Sequence, residues 1–476
     1  MIFLRTTIIT LSLITLAVLP MAASAATRSL FIGLSGSDVT ALQNQLIAKG
    51  YLGAGKNTGT FGPLTDTALK KFQCDQKIVC SGGAAAGYGT FGPKTQTAMG
   101  GTATSGSNFE ISGWIPYWRT AAGTADALPN LSKLTSVMPF GYSMKMNGTL
   151  ADTAHLTEEP WASFITEARK QNVKIVPTVM WGDGDAIHAL LTDTPERIAL
   201  EDEIAAVVKL NNFDGIDIDF EAKKHETVDY FSTFLKGLDM RLGNKLLYCT
   251  VESRMPLEDR YLPGDVIPPD AQDYANDYVE MNKYCDRIEI MAYDQGTVNK
   301  RLNKARTAPY APVADPFWVE NIVNLATSQG IAKNKIVLGI ATYGYEYTVT
   351  PVGNGYQYKR LWAFNPKYAL DIAAKLGITP ERTSASEIGF SYDAKLLQPA
   401  PATDSTIVQQ TVTATTTVAQ NTGSTVSTSQ PFNYLTWSDA KSIADKIALA
   451  KRLGIRGVAL FKFDGGEDPL TWNVLK

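Results

Sequence analysis

Positions 214–221 read Asp-Gly-Ile-Asp-Ile-Asp-Phe-Glu, and over 216–221 three acidic residues alternate with apolar residues. In an extended strand successive side chains point to opposite faces, so Asp217, Asp219 and Glu221 share one face and the apolar residues share the other. Crowded carboxylates repel one another, and burial raises the pKa of at least one of them. Such a group can donate a proton near neutral pH, which predicts general acid catalysis. A solvated edge strand or a cation-binding loop is the alternative, but the alternating Ile and Phe residues favour a core strand.

The elements that would position these acids repeat along the chain. From residue 109 onward, short apolar runs alternate with segments of helical period, which is typical of repeated βα units. Eight such runs predict an α/β fold, a closed (β/α)8 TIM barrel with catalytic groups at the carboxyl ends of its strands. The predicted strands are Ile111–Tyr117, Ser136–Tyr142, Lys174–Met180, Phe213–Glu221, Leu246–Glu252, Arg287–Tyr293, Ile336–Tyr343 and Gly457–Phe463. The predicted helices include Trp161–Gln171, Pro195–Leu210, Thr227–Leu242 and Pro316–Gln329.

One connection in this pattern is much longer than the others. Residues 345–436 separate the seventh predicted strand from a helix predicted at Ser438–Leu453, and they contain aromatic-rich pieces. We predict a small α+β insertion between strands 7 and 8. Within it, residues 403–430 are rich in Thr, Ser, Val, Ala and Gln and carry no charge after Asp404, which predicts a flexible surface loop.

Other predicted strands carry residues suited to the same pocket. Trp114 lies in the first strand, Met291, Tyr293 and Asp294 lie at the end of the sixth, and Tyr343 ends the seventh. Aromatic faces stack well on sugar rings, although in a core of this size most aromatic side chains simply pack against one another.

These motifs resemble glycoside hydrolase family 18, the chitinase-like family. The fourth-strand run is similar to the DxxDxDxE signature of that family. Met291-x-Tyr293-Asp294 is similar to its sixth-strand motif, and residues 338–344 are similar to its seventh. The resemblance covers residues 109–476, includes the insertion before the last strand, and is nearest to the bacterial, cell-wall-associated branch.

The resemblance implies substrate-assisted hydrolysis, in which the N-acetyl group of the substrate acts as the nucleophile. Glu221 would protonate the glycosidic oxygen, and Asp219 would orient the acetamido group and stabilise the oxazolinium ion. Asp217 would share a proton with Asp219, and Tyr293 would hydrogen-bond the acetamido oxygen. The substrate-binding residues implied in the same pocket are Asp294, Met291, Tyr343, Trp114 and Phe461.

Two departures from the family pattern concern the sugar site. The third-strand Ser-x-Gly-Gly motif is absent from residues 177–182, and Phe461 stands where the family has a tryptophan on the eighth strand. A phenyl ring offers less stacking area, so we expect weaker sugar binding or altered specificity. Trp181 is an alternative aromatic wall, although packing in the core is favoured for it. Asp214 is expected to hold the start of its strand.

Residues 30–100 form a separate block with an internal repeat. Gly59–Ala68 recurs as Gly89–Ala98, with eight of ten positions identical, and each copy places a proline near a helix start. The block resembles the peptidoglycan-binding domain 1 family, a small three-helix module, and cell-wall binding is what this resemblance implies. A folded spacer without a ligand is the alternative. The residues that match the peptidoglycan-binding domain 1 family are Gly36, Val39, Leu42, Gln43, Leu46, Gly50, Tyr51, Gly59, Phe61, Gly62, Thr65, Ala68, Phe72 and Gln73.

Residues 101–108, between this block and the predicted barrel, are predicted to be a flexible linker.

Residues 1–25 have the pattern of a secretory signal peptide, with Arg5, an apolar stretch at 8–19 and Ala-Ser-Ala at 23–25. An uncleaved anchor is the alternative, but the stretch is short for a membrane span. We expect a secreted protein, extracellular or associated with the cell wall, with no stable membrane insertion after cleavage. The formal charge of −3 and the lack of a basic patch argue against a nucleic-acid partner.

Four cysteines suit an exported protein. Cys74 and Cys80 could close a local loop, while Cys249 and Cys285 lie on or beside neighbouring predicted strands. Their spacing is unlike that of a zinc site and the chain has three histidines, so we expect no metal and no cofactor. We expect the protein to be a monomer.

The residues and the two resemblances together predict a secreted glycoside hydrolase that cleaves β-1,4 bonds after N-acetylglucosamine in peptidoglycan. The mechanism would be substrate-assisted and would retain the anomeric configuration. One alternative is a chitinase acting on chitin oligomers, and the other is a catalytically silent carbohydrate-binding protein. The polysaccharide is the expected partner in each case.

Overall fold

The computed structural model describes residues 30–81, 87–99, 109–145, 148–397, 415–419 and 430–475. The predicted signal peptide (1–25) and linker (101–108) lie outside these residues. Most of the predicted loop at 403–430 lies outside them as well, but its residues Thr415–Ala419 form a strand paired with Gly355–Lys359, so this part belongs to a sheet. Within the described ranges, no helix is long and apolar enough to cross a membrane.

Strands are found both in the barrel region and in the insertion. In chain order they are β1 (Glu110–Pro116), β2 (Ser136–Met144), β3 (Leu150–Asp152), β4 (Lys174–Ile175), β5 (Thr178–Trp181), β6 (Gly215–Phe220), β7 (Leu246–Glu252), β8 (Arg287–Met291), β9 (Ile336–Ala341), β10 (Gly344–Val352), β11 (Gly355–Phe364), β12 (Glu381–Arg382), β13 (Ile388–Tyr392), β14 (Thr415–Ala419), β15 (Phe432–Trp437) and β16 (Gly457–Phe461).

Eight parallel strand positions close into a barrel. Around it the order is β1, β2, β5, β6, β7, β8, β9 and β16, and β16 pairs with β1 to complete the ring. The predicted TIM barrel is therefore confirmed, and each predicted strand overlaps an observed one. The third barrel strand is split into β4 and β5 beside Pro177, because proline has no N–H to donate to a strand ladder.

Helices surround the barrel and also form the N-terminal domain. They are α1 (Ser37–Ala48), α2 (Pro63–Asp75), α3 (Pro93–Met99), α4 (Thr120–Ala127), α5 (Trp161–Lys170), α6 (Gly184–Thr192), α7 (Thr194–Leu210), α8 (Val228–Leu242), α9 (Leu257–Arg260), α10 (Tyr278–Tyr284), α11 (Lys300–Ala305), α12 (Pro316–Ser328), α13 (Pro366–Leu376), α14 (Ala440–Leu453) and α15 (Thr471–Val474).

The outer face of β6 shows why the acids point inward. All residues of Gly215–Phe220 are buried. The Phe220 ring stacks on Phe234 of α8 with centroids 5.5 Å apart, so the apolar face of the strand packs on a helix. The alternating acidic residues must then face the barrel interior.

The insertion between the seventh and eighth barrel strands is a six-stranded sheet, in the order β12, β13, β15, β10, β11 and β14, accompanied by α13. Its pairings are antiparallel. The fully buried Glu346 accepts hydrogen bonds from the Tyr368 hydroxyl at 2.8 Å, the Tyr392 hydroxyl at 2.6 Å and the Asn433 amide at 2.6 Å. These bonds tie helix and sheet together, as the predicted α+β insertion requires.

The repeat in the N-terminal domain has a physical basis in two glutamines. Gln43 accepts from the Gly59 N–H at 2.9 Å, and Gln73 accepts from the Gly89 N–H at 2.8 Å. Each amide group also donates to the threonine carbonyl of the same turn, at 2.9 Å from Gln43 and 2.8 Å from Gln73. Each glutamine therefore fixes the glycine turn ahead of the next helix, which explains why the turn recurs.

Both cysteine pairs form disulfides. Cys74 pairs with Cys80 in the N-terminal domain, and Cys249 of β7 pairs with Cys285, which precedes β8. The second disulfide is fully buried and links neighbouring barrel strands.

Candidate active site

A pocket of about 340 Å³ opens at the carboxyl ends of the barrel strands. It brings together the predicted acid, the predicted acetamido partners and the predicted sugar-binding residues. Asp217 lies beneath it, fully buried. The pocket is lined by Trp114, Phe140, Asp219, Glu221, Thr250, Glu252, Ser253, Met291, Tyr293, Asp294, Tyr343 and Phe461.

Asp217 is held by hydrogen bonds from three different barrel strands. Its Oδ2 accepts from Thr178 Oγ1 at 2.7 Å and from Trp114 Nε1 at 3.2 Å. Its Oδ1 accepts from Thr250 Oγ1 at 2.8 Å. Burial raises the pKa of Asp217, and these donors oppose that rise because they favour the carboxylate. These three hydrogen bonds hold the Asp217 carboxylate in place beneath the pocket.

Asp219 lies one step above Asp217 on the same face and is almost fully buried. Burial raises its pKa well above the usual range, and the neighbouring carboxylates Glu221 and Asp217 raise it further. Its Oδ1 atom has no hydrogen-bond partner among the described residues. A carboxylate oxygen without a hydrogen-bond partner, on a residue that lines a cavity, is suited to accept a hydrogen bond from a substrate N–H.

Glu221 ends the ladder on the wall of the pocket, where it is partly exposed. Burial raises its pKa, Glu252 raises it further and Lys223 lowers it. A raised pKa lets a carboxyl group keep its proton to higher pH, and at the edge of a cavity the group is placed to deliver that proton to a bound ligand. The ladder therefore ends in a carboxyl group that borders the pocket, one step above Asp219.

Tyr293 and Asp294 follow β8 and face the acids. The Tyr293 ring stacks on Phe461 with centroids 5.8 Å apart, and burial raises the pKa of its hydroxyl far enough to keep it protonated. Asp294 adopts a positive φ of 61° and accepts a hydrogen bond from the Tyr343 hydroxyl at 2.5 Å. Burial raises the pKa of Asp294, and that bond opposes the rise.

The floor of the pocket is aromatic. Trp114 lies edge-on to Phe461 with ring centroids 5.9 Å apart, and its indole N–H is occupied by Asp217. Phe461 also packs against Phe140 at 6.2 Å. Trp114 therefore serves two purposes, since it lines the pocket and also orients the lowest acid.

Two other residues singled out in the sequence lie outside the pocket lining. Trp181 packs edge-on against Phe220 at 5.4 Å within the core between barrel and helices, so it fills the core, as the favoured interpretation predicts. Asp214 Oδ2 accepts a hydrogen bond from the Ile175 N–H at 2.8 Å, which ties the start of β6 to β4.

Sequence reasoning missed several residues of the site, namely Phe140, Thr178, Thr250, Glu252 and Ser253. A signal for two of them was present. In Leu246–Glu252 the polar residues Tyr248, Thr250 and Glu252 alternate with apolar ones, which is the same inward-facing pattern as in the acid ladder. Phe140 and Thr178 lie in runs that look like ordinary core strands.

The family model described as Glycosyl hydrolases family 18 matches residues 111–466, and the model described as "Putative peptidoglycan binding domain" matches residues 35–99. The chain is 24% identical over 167 residues to "Uncharacterized glycosylase YvbX" of Bacillus subtilis, covering 35% of this chain and 44% of that protein. It is 24% identical over 290 residues to "Probable chitinase 2" of Drosophila melanogaster, covering 60% and 54%. The chain thus spans about half the length of these relatives.

Among solved structures, the fold is similar to that of the Bacillus megaterium QM B1551 spore cortex-lytic enzyme SleL. The TM-score is 0.56 at 20% identity, over 78% of this chain and 74% of that one. The acid ladder, the β8 motif and a family match that spans most of the barrel agree with one another. The chain belongs to glycosyl hydrolase family 18, and it carries a peptidoglycan-binding domain ahead of the barrel.

Proposed function

We propose that this protein is a secreted, cell-wall-associated glycoside hydrolase that cleaves β-1,4 bonds after N-acetylglucosamine in peptidoglycan. One observation carries the proposal: a pocket lined by Glu221 and by Asp219, whose Oδ1 has no hydrogen-bond partner among the described residues, lies in the same chain as a peptidoglycan-binding domain. The names of its relatives, a cortex-lytic enzyme and a chitinase, fit hydrolysis of such polymers.

In the proposed first step, Glu221 transfers its proton to the glycosidic oxygen while the bond from that oxygen to the anomeric carbon breaks. The acetamido oxygen of the same sugar attacks the anomeric carbon and forms a cyclic oxazolinium ion. Asp219 accepts the hydrogen bond of the acetamido N–H, and the Tyr293 hydroxyl donates to the acetamido oxygen. The positive charge that develops lies beside the Asp217–Asp219 pair, where low dielectric strengthens the attraction.

In the second step, water attacks the anomeric carbon from the face that the leaving group has vacated. Glu221, now a carboxylate, takes a proton from that water, and the acetamido oxygen leaves the anomeric carbon. Two inversions at one carbon retain the configuration. Asp217 and Asp219 both have raised pKa values, so we propose that together they hold one proton, which moves toward Asp217 as Asp219 binds the substrate.

The test is digestion of purified peptidoglycan and of chitin oligomers, with the released chain ends identified by mass spectrometry. We expect new N-acetylglucosamine reducing ends from peptidoglycan. The Glu221→Gln variant should be slower by a factor of about 10²–10⁴, the usual contribution of a general acid. Glu226→Gln, an exposed acid in the following turn, is the matched control and should keep the wild-type rate.

Two results would contradict the proposal in different ways. Activity on chitin oligomers alone would favour the chitinase alternative and remove peptidoglycan as the substrate. Equal background rates for wild type and Glu221→Gln, with binding retained, would favour a carbohydrate-binding protein. The small stacking area of Phe461, which is only partly buried at the pocket floor, is the feature that favours this second candidate.

A further inference from the structure

A buried cation lies directly behind the proposed acid. Ala222 has a positive φ of 55°, and this turn directs the next residue back toward the barrel. The side chain of Lys223 is fully buried, with its Nζ 4.6 Å from the centroid of the Phe231 ring and in contact with the Phe220 carbonyl oxygen. Burial lowers the pKa of Lys223, and the carboxylates of Glu252, Asp219 and Glu221 oppose that fall, so nearby negative charge offsets part of the cost of burying the ammonium group.

Glu252, at the end of the neighbouring strand β7, joins this lysine to the turn. Its Oε2 lies 3.9 Å from Lys223 Nζ, and its Oε1 accepts the Ala222 N–H at 2.8 Å. The Asn276 amide also donates to Oε2, at 3.4 Å. Glu252 is partly exposed and lines the pocket next to Glu221, so one carboxylate contacts both the cation and the backbone that follows the acid.

The surroundings of this pair are strongly acidic. Lys223 is faced by the carboxylates of Asp219, Glu221 and Glu252, and the Phe231 ring of α8 packs against it. The next residue, Lys224, differs, because it is exposed and pairs with Asp185 on the surface. The titratable groups that face Glu221 and Lys223 from the surrounding elements are Asp219, Glu252, Tyr293 and Asp294.

We propose that Lys223 and Glu252 are a positioning pair of opposite charge that sets the protonation of Glu221 and fixes the turn behind it. The inference rests on the proposed role of Glu221 as the acid and deepens it. Lys223 favours the carboxylate forms of Glu221 and Asp219, whereas Glu252 disfavours them.

Lys223 lowers the pKa of Glu221 and that of Asp219, and Glu252 raises both. Activity requires Glu221 protonated and the Asp217–Asp219 pair partly ionised, so the two pKa values bound a bell-shaped pH profile. Loss of the Lys223 charge raises both pKa values and moves the whole pH profile to higher pH. Loss of the Glu252 charge lowers both pKa values and moves the profile to lower pH.

The experiment measures kcat/KM against pH for Lys223→Met and Glu252→Gln on N-acetylglucosamine oligomers with natural sugar leaving groups. Such leaving groups need protonation, so the limb of the pH profile that depends on the pKa of Glu221 can be measured. We expect the Lys223→Met profile to move up and the Glu252→Gln profile to move down, each by about one pH unit, the lower end for a nearby charge. Lys224→Met is the matched control and should leave the profile in place. Lys223→Arg, which keeps the charge, should restore its position.

If Lys223 and Glu252 have a purely structural role, their variants should have a lower rate or melting temperature with both limbs of the pH profile unmoved. That result would overturn the inference. If Lys223→Met does not fold, Glu252→Gln alone decides: a downward shift supports the pair and an unmoved profile rejects it. Glu221→Gln separates this failure from that of the proposed function. A Glu221→Gln variant with the wild-type rate rejects the acid assignment and the inference with it. An inactive Glu221→Gln variant with unmoved limbs in the other variants rejects the inference alone.

Discussion

Replacing Glu387 with glutamine should loosen the attachment of the insertion to the barrel. Glu387 is fully buried ahead of β13. Its Oε1 accepts the Ala314 N–H at 2.7 Å, and its Oε2 accepts the Val313 N–H at 2.9 Å and the Thr436 hydroxyl at 3.0 Å. Because each oxygen faces a backbone N–H, either orientation of a glutamine amide sets its NH₂ group against a backbone donor.

The magnitude follows from two losses. One orphaned, buried backbone N–H costs about 1–3 kcal/mol. Lys446, a fully buried residue of α14 whose Nζ lies 4.0 Å from Glu387, also loses its counterion. An uncompensated buried charge costs about 3–5 kcal/mol, but burial lowers the pKa of Lys446, so the lysine can release its proton and recover part of this. We therefore expect a loss of about 4 kcal/mol. At about 2.1 cal/mol/K per residue over residues 109–476, this lowers the melting temperature by about 5 °C.

The assay is thermal unfolding followed by circular dichroism and intrinsic fluorescence. The double variant Glu387→Gln, Lys446→Met should be more stable than the sum of the two single variants predicts, by about 1–3 kcal/mol, because it removes the lysine that would otherwise lose its counterion. Glu381→Gln, an exposed acid in the same insertion, is the control. A Glu387→Gln protein that melts within about 1 °C of wild type would refute the reasoning.

Three further predictions concern the pocket and the barrel. Phe461→Trp should lower KM for N-acetylglucosamine oligomers about 2- to 10-fold, because a larger ring adds about 0.5–1.5 kcal/mol of stacking; an unchanged KM in steady-state kinetics would contradict this. Asp217→Asn keeps the shape but removes a charge bound by three donors, so kcat should fall about 10- to 100-fold. If Asp217→Asn has the wild-type rate, Asp217 does not share a catalytically required proton with Asp219. Replacing Cys249 and Cys285 together by alanine opens a disulfide with a sequence separation of 36 residues. Loop entropy predicts a loss of about 4 kcal/mol in thermal unfolding, and no loss would argue against the native link.

The barrel was predictable from the sequence because its strands are buried on both faces and bounded by clear helix signals. Strand β7 has the predicted bounds, Leu246–Glu252, and helix α8 begins one residue after the predicted start at Thr227. The insertion was predictable only as a region. Its strand order depends on antiparallel pairings such as that of β10 with β15, which bring together segments far apart in sequence. No local pattern specifies such a partner.

The site was predictable to the extent that its residues share a strand face. The acid ladder has a period of two on one strand, so its spacing alone places its members together. The bond from Trp114 to Asp217 crosses the barrel interior between residues 103 positions apart, and the sequence holds no sign of it. The sequence also gives no functional signal at Thr178, since threonine is a common residue in core strands.

The two adjacent lysines show where sequence reasoning stops and why. Lys223 and Lys224 have the same chemistry, and no pattern of charge or hydropathy separates them. The backbone separates them: the positive φ at Ala222 turns the first lysine inward onto the Phe231 ring and leaves the second on the surface. The fully buried Glu289, whose pKa burial and Asp217 raise well above the usual range, adds a further carboxyl group beneath the ladder. Burial and mutual repulsion favour retention of protons by these carboxyl groups, and in the proposed scheme Lys223 opposes that effect at Glu221 and Asp219.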